Sequence, residues 1–181
     1  LAPIDGAVQP LAFGGEYSML SLLNTTSFNL SGRVINKGSS DITAGTLVFN
    51  VYNAGGQVYT DLANITSNIG AGDTSAILTS VGAYAPTDTG LYVIEQICSI
   101  SGDAYSNNDT VYAYVYVDDS TNARDYTALD ASTYINGGFG YGNGGSGIMG
   151  QVYHIYQPSQ LTSASFYIEN PIVGAEISAT V

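Results

Sequence analysis

Between residues 27 and 117 oily and wet side chains alternate with a period of two. That is the repeat of a β-strand whose two faces meet different surroundings. In 27–36, Phe28, Leu30, Gly32 and Val34 stand against Asn29, Ser31 and Arg33. In 46–52, Leu47, Phe49 and Val51 alternate with Val48, Asn50 and Tyr52. Asn53-Ala54-Gly55-Gly56 then supplies the residues that tolerate a hairpin turn, and 57–64 returns. Further strands are predicted at 16–23, 75–80, 91–100 and 110–117. No long stretch repeats apolar residues at helical spacing. Seven or eight short strands in about 105 residues predict an all-β, immunoglobulin-like β-sandwich over residues 1–117.

Asp118-Asp119-Ser120-Thr121-Asn122 is polar throughout and follows a completed strand, so it marks the expected boundary. Beyond it the pattern thins. A weak strand at 124–130 and a Gly-rich loop at 137–147 precede three strands at 148–157, 161–169 and 175–181. Residues 118–181 offer too little interior for an independent sandwich. They are expected to be an incomplete second β unit, its open edge covered by the first domain, a continuation or a partner.

Composition narrows the functional classes. Fifteen acidic against three basic residues give a formal net charge of −12. Three cations cannot neutralise a phosphate track, which excludes nucleic acid as a partner and disfavours an anionic membrane surface. A hydrophobic share of 45% excludes a disordered chain. No apolar run approaches the length of a membrane span. Few Lys, many Ser, Thr, Asn, Gly and Tyr, and a low pI fit an exported bacterial protein. Cys98 is the single cysteine, so no intrachain disulfide forms, and its apolar neighbours predict a buried, unreactive thiol.

Several segments resemble a known family. They are Glu16-Tyr17-Ser18-Met19-Leu20-Ser21-Leu22, the run from Phe28 to Gly38, the turn at Asp73, Thr89-Gly90-Leu91-Tyr92-Val93-Ile94, and Ser106-Asn107-Asn108-Asp109-Thr110. In this order they are similar to the immunoglobulin-like, CARDB-type adhesion modules of large secreted proteins in Gram-negative bacteria with type IX secretion. Ala123-Arg124-Asp125, the Gly-rich loop and Met149-Gly150-Gln151-Val152-Tyr153 resemble the jelly-roll-like module that often follows. The resemblance implies export to the cell surface or beyond, a protein or glycan partner there or the type IX secretion machinery, and no catalytic residues.

Candidate chemistry is sparse. Asp88-Thr89-Gly90-Leu91-Tyr92 resembles a tyrosine corner, in which the ring packs inward and the hydroxyl bonds nearby backbone. If Tyr92 points inward, Ile94, Gln96 and Cys98 do too. Val111-Tyr112-Ala113-Tyr114-Val115-Tyr116-Val117 sets three tyrosines on one face. They either pack across strands or form a contact surface, since tyrosine buries much area at low entropic cost and keeps a polar tip. Tyr112, Tyr114 and Tyr116, with Phe139 and Tyr141 in the Gly-rich loop, are the candidate contact residues. Asp118, Asp119 and Asp125 could hold Ca²⁺ through oxygen ligands, as could Asp103, Asn107, Asn108 and Asp109; neither group has the spacing of a known loop, and Asp and Asn also cap turns. No other cofactor is expected. A Ser-His-Asp triad would need His154, the single histidine, yet no Gly-x-Ser-x-Gly elbow is present. The expectation is a non-catalytic secreted or cell-surface module acting as spacer or interaction surface. The alternative is a carbohydrate-binding accessory module of a secreted enzyme.

Overall fold

The computed structural model describes residues 2–10, 18–123 and 158–164. Among these are eight strands: β1 (Gly6–Pro10), β2 (Met19–Ser21), β3 (Ser31–Asn36), β4 (Thr46–Asn53), β5 (Gly56–Asn64), β6 (Leu78–Thr79), β7 (Gly90–Ser99) and β8 (Thr110–Asp118). They form a three-stranded sheet in the order β1-β3-β6 and a five-stranded sheet in the order β2-β8-β7-β4-β5. Neighbours are antiparallel except β2 and β8, which run parallel. The architecture is an all-β, immunoglobulin-like sandwich.

The period of two decides what lies between the sheets. Leu47, Phe49 and Val51 of β4, and Val115 and Val117 of β8, share the core with Val8 and Val34 of the smaller sheet and with Leu30, which precedes β3. β7 buries Tyr92, Ile94, Gln96 and Cys98 together, the inward set its alternation predicts. Gln96 is polar yet sits in this core. Its amide donates to the Ser31 carbonyl at 3.2 Å, bridging the two sheets. Gly32 makes room for it: a Cβ there would overlap the Gln96 side chain and lie 2.7 Å from Leu47 Cδ2.

The tyrosine corner is present. Tyr92 is 1% exposed, and its hydroxyl donates to the Asp88 carbonyl at 2.9 Å. Gly90, at φ +132°, turns the chain into β7 in a conformation that side chains resist. At the other end of the sandwich the buried Asn36 ties three segments together. Its Nδ2 donates to the Ser40 carbonyl at 2.9 Å and the Ile69 carbonyl at 2.8 Å. Its Oδ1 accepts the Gly38 N–H at 2.9 Å.

Three elements differ from the sequence reading. β1 was not anticipated: Gly at one end and Pro at the other hide an edge strand that pairs with all but the first residue of β3. The strand expected at 16–23 pairs over Met19–Ser21. The strand expected at 75–80 shrinks to Leu78–Thr79. On its two flanks the serine hydroxyls take over ladder positions. Ser75 Oγ accepts the Val34 N–H at 3.0 Å and Ser80 Oγ accepts the Leu30 N–H at 3.0 Å. Past the expected boundary the chain stays bonded to β2. Ser21 donates to the Asp119 carbonyl at 3.0 Å and its N–H to Asn122 Oδ1 at 3.0 Å. The Ala123 carbonyl accepts the N–H groups of Ser18 and Met19 at 2.9 and 3.1 Å. The jelly-roll-like unit expected over 118–181 lies almost wholly outside the described residues.

Candidate interaction face

The outward-facing positions of β8 carry Tyr112, Tyr114 and Tyr116, because the inward phase of the strand is filled by Val115 and Val117. Tyr112 is 53% and Tyr114 43% exposed, while Tyr116 is half-buried between Leu91 of β7 and Met19 of β2. Of the three rings, one packs across strands and two face outward.

Register extends this face across four strands. Tyr112 stands opposite Glu95 on β7, Glu95 opposite Asn50 on β4, and Asn50 opposite Thr60 on β5. In the next row Tyr114 stands opposite Val93, and Val93 opposite Tyr52. Side chains in directly opposed positions touch, and long ones reach their diagonal neighbours. Glu95 is thus ringed by donors. Its Oε2 accepts the Asn50 amide at 2.9 Å and the Tyr52 hydroxyl at 3.1 Å. Its Oε1 accepts the Tyr112 hydroxyl at 3.0 Å. Asn50 is fixed in turn, its Oδ1 accepting the Thr60 hydroxyl at 2.8 Å. Leu91, 41% exposed, and the half-buried Val93 give the face an apolar part beside this polar row.

Electrostatics follow from the geometry. Partial burial by itself would raise the Glu95 carboxyl, but the bonds from Asn50, Tyr112 and Tyr52 outweigh it and hold the group below its ordinary range. The same bond and charge raise the hydroxyls of Tyr52 and Tyr112. Glu95 therefore stays ionised at neutral pH and both tyrosines stay protonated.

Sequence reasoning found Tyr112, Tyr114 and Tyr116 and missed Glu95, Asn50 and Tyr52. The available signal was an acid in the outward phase of an otherwise apolar run, Val93-Ile94-Glu95-Gln96. Its partners lie on other strands, which no local pattern reveals. Phe139, Tyr141, His154 and Asp125 lie outside the described residues. The Asp118 carboxylate is held low by the Thr121 hydroxyl, despite some opposing burial, and by backbone N–H groups of its own turn at Asp119, Ser120 and Thr121. Asp119 is exposed beside it. Among the described residues no three His, Cys, Asp or Glu side chains are grouped so as to hold a metal ion. In the loop before β8, Asp103 accepts the Gly6 N–H at 2.7 Å and Asp5 accepts the Asn108 amide at 2.8 Å. Cys98 is buried and free, its thiol pushed up to about 12 by burial, with the charges of Asp109 and Asp103 adding to the effect. Among the described residues no helix is long and apolar enough to cross a membrane.

The chain matches no protein-family model and no curated protein. Among solved structures it is similar to the CARDB domain of the PF1109 protein from Pyrococcus furiosus, crystallised in complex with di-metal ions. That likeness has 19% identity and a TM-score of 0.44 and covers 65% of this chain and 92% of that one. It is also similar to the alkylpurine DNA glycosylase AlkC of Pseudomonas fluorescens, bound to DNA containing an abasic site analogue. Here identity is 12% and the TM-score 0.37, over 65% of this chain and 31% of the glycosylase. At this degree of likeness neither protein's ligand carries over to this chain.

Proposed function

We propose that this chain is a non-catalytic β-sandwich module of a larger exported bacterial protein, which uses the outer face of its five-stranded sheet as a contact surface. One observation carries the reading: Tyr112 and Tyr114 stand 53% and 43% exposed on an interior strand of that sheet, beside Leu91. Tyrosines on a rigid strand offer contact area at little entropic cost. Composition supports an extracellular or cell-surface setting, with three basic residues and a pI of about 4.1. In such a protein the sandwich spaces or presents neighbouring modules and docks on a protein or glycan.

The test is a pair of variants, Tyr112→Ala and Tyr114→Ala, in the full chain. Both side chains are outside the core, so the melting temperature should barely move. Binding to a purified surface-protein partner, measured by biolayer interferometry, should fall in both. Binding that survives both substitutions overturns the assignment of this face. Loss of binding to arrayed oligosaccharides in the same variants would place the module among carbohydrate binders instead.

A further inference from the structure

We infer that this face takes a cationic side chain, an arginine or lysine of a protein partner, with Glu95 as its counter-charge. The inference rests on the reading of the face as a contact surface and names the partner's chemistry. Glu95 is a half-buried anion at the centre of the face, and among the described residues each of its partners is neutral: Asn50, Tyr52 and Tyr112. Of the three basic residues in the chain, Arg33 is on β3 in the other sheet and Lys37 follows that strand. Among the described residues the four-strand row therefore presents a negative charge with no positive one beside it, in a protein of net charge −12; Arg124, the third basic residue, lies outside them.

The hydrogen bonds orient the carboxylate without filling it. Two bonds fall on Oε2 and one on Oε1, while a carboxylate offers about four acceptor sites. The open site lies on Oε1, on the side of Tyr112. Tyr112 stands opposite Glu95 and Tyr114 is its diagonal neighbour on β8, and the face of a tyrosine ring attracts a cation. Val93, in register with both Tyr52 and Tyr114, supplies an apolar floor for the aliphatic stem of an arginine or lysine. A neutral sugar would use the rings and bring no charge to set against the half-buried Glu95, so the arrangement favours a basic protein segment.

The experiment is an NMR titration of the ¹⁵N-labelled full chain in 150 mM salt, of the order of physiological ionic strength. The probe is a peptide of alternating arginine and serine; the control replaces each arginine by citrulline, which keeps the shape and removes the charge. Saturable shifts at Tyr112, Tyr114, Glu95 and Asn50 are expected with the arginine peptide. Glu95→Gln, which keeps the side-chain length, should weaken it at least about fivefold, as should Tyr114→Ala, which leaves the Glu95 bonds intact. Asp73→Asn, a charge-matched change in a distant turn, should alter affinity less than about twofold. Equal losses in Glu95→Gln and Asp73→Asn would overturn the inference, reducing it to bulk attraction. Equal binding of the citrulline peptide at the same tyrosines also overturns it, yet leaves the contact face standing. Shifts that miss the tyrosines altogether sink both readings.

Discussion

Asn36→Ala tests the idea that one buried amide holds an end of the sandwich together. The side chain is fully buried and makes three bonds, to Gly38, Ser40 and Ile69. Truncation leaves each partner behind. Gly38 is itself buried, so its N–H loses its bond where water does not reach, whereas the Ile69 carbonyl keeps the Ile42 N–H at 3.0 Å. Ser40 is exposed, so its carbonyl can turn to solvent. One stranded group at about 1–3 kcal/mol and the lost bond to Ile69 at about 1 kcal/mol predict a loss of about 2–4 kcal/mol, a large part of the roughly 5–15 kcal/mol that domains possess. The assay is equilibrium urea unfolding followed by tyrosine fluorescence, since the chain has 15 Tyr and no Trp. With m near 2 kcal/mol/M the midpoint should fall by about 1–2 M at constant m. Asn36→Asp should be no better, because a carboxylate would face the two carbonyls that now accept. A loss below about 1 kcal/mol for Asn36→Ala would refute the reasoning, showing that backbone bonds at Gly72 and Asp73 suffice.

Three further outcomes follow from the same structure. Tyr92→Phe removes both hydroxyl bonds to the exposed Asp88, the one given to its carbonyl and the longer one accepted from its N–H, while keeping the ring; it should cost about 1–2 kcal/mol, read as a drop of a few degrees in the melting temperature, and no drop would demote the corner to simple packing. Asp109 is raised by burial and by the charges of Asp103 and Asp5, so its ionisation opposes folding. Its stabilising protonated form dominates at low pH and is lost as pH rises through the raised value. Asp109→Asn should therefore raise the melting temperature at pH 7, and the gain should vanish as pH falls below the ordinary carboxylate range. A thiol reagent should leave Cys98 unmodified in the folded chain at pH 8 and modify it in urea, because its thiol is both buried and raised to about 12; prompt native labelling would contradict the core placement.

The fold was legible where one face of a strand is oily and the other wet. Leu47, Phe49 and Val51 declared their direction, and Tyr92 carried Ile94, Gln96 and Cys98 with it, even though Gln96 is polar. The corner was legible because its parts are four residues apart. What escaped was set by distant pairing or by side chains replacing backbone. β1 carries no alternation of its own and is made a strand by β3. Ser75 and Ser80 read as strand residues, but their hydroxyls substitute for ladder carbonyls and leave two paired residues between them. The face proposed for contact was half legible: three tyrosines in one run announce themselves, whereas Glu95, Asn50 and Tyr52 become neighbours only once β4, β7 and β8 are aligned.

The parallel pairing of β2 with β8 has a mechanical meaning for the proposed spacer role. A pull entering ahead of Met19 and leaving beyond Asp118 drags these two strands in opposite senses along their length, so their rungs share the load at once. The bonds from Ser18 and Met19 to Ala123, where the returning chain runs antiparallel, would peel first, one rung at a time. Once β1 has been drawn off β3, which a pull from the N-terminal side loads before β2, the sandwich would resist tension in two stages, a soft one at Ala123 and a stiff one at the strand pair behind it.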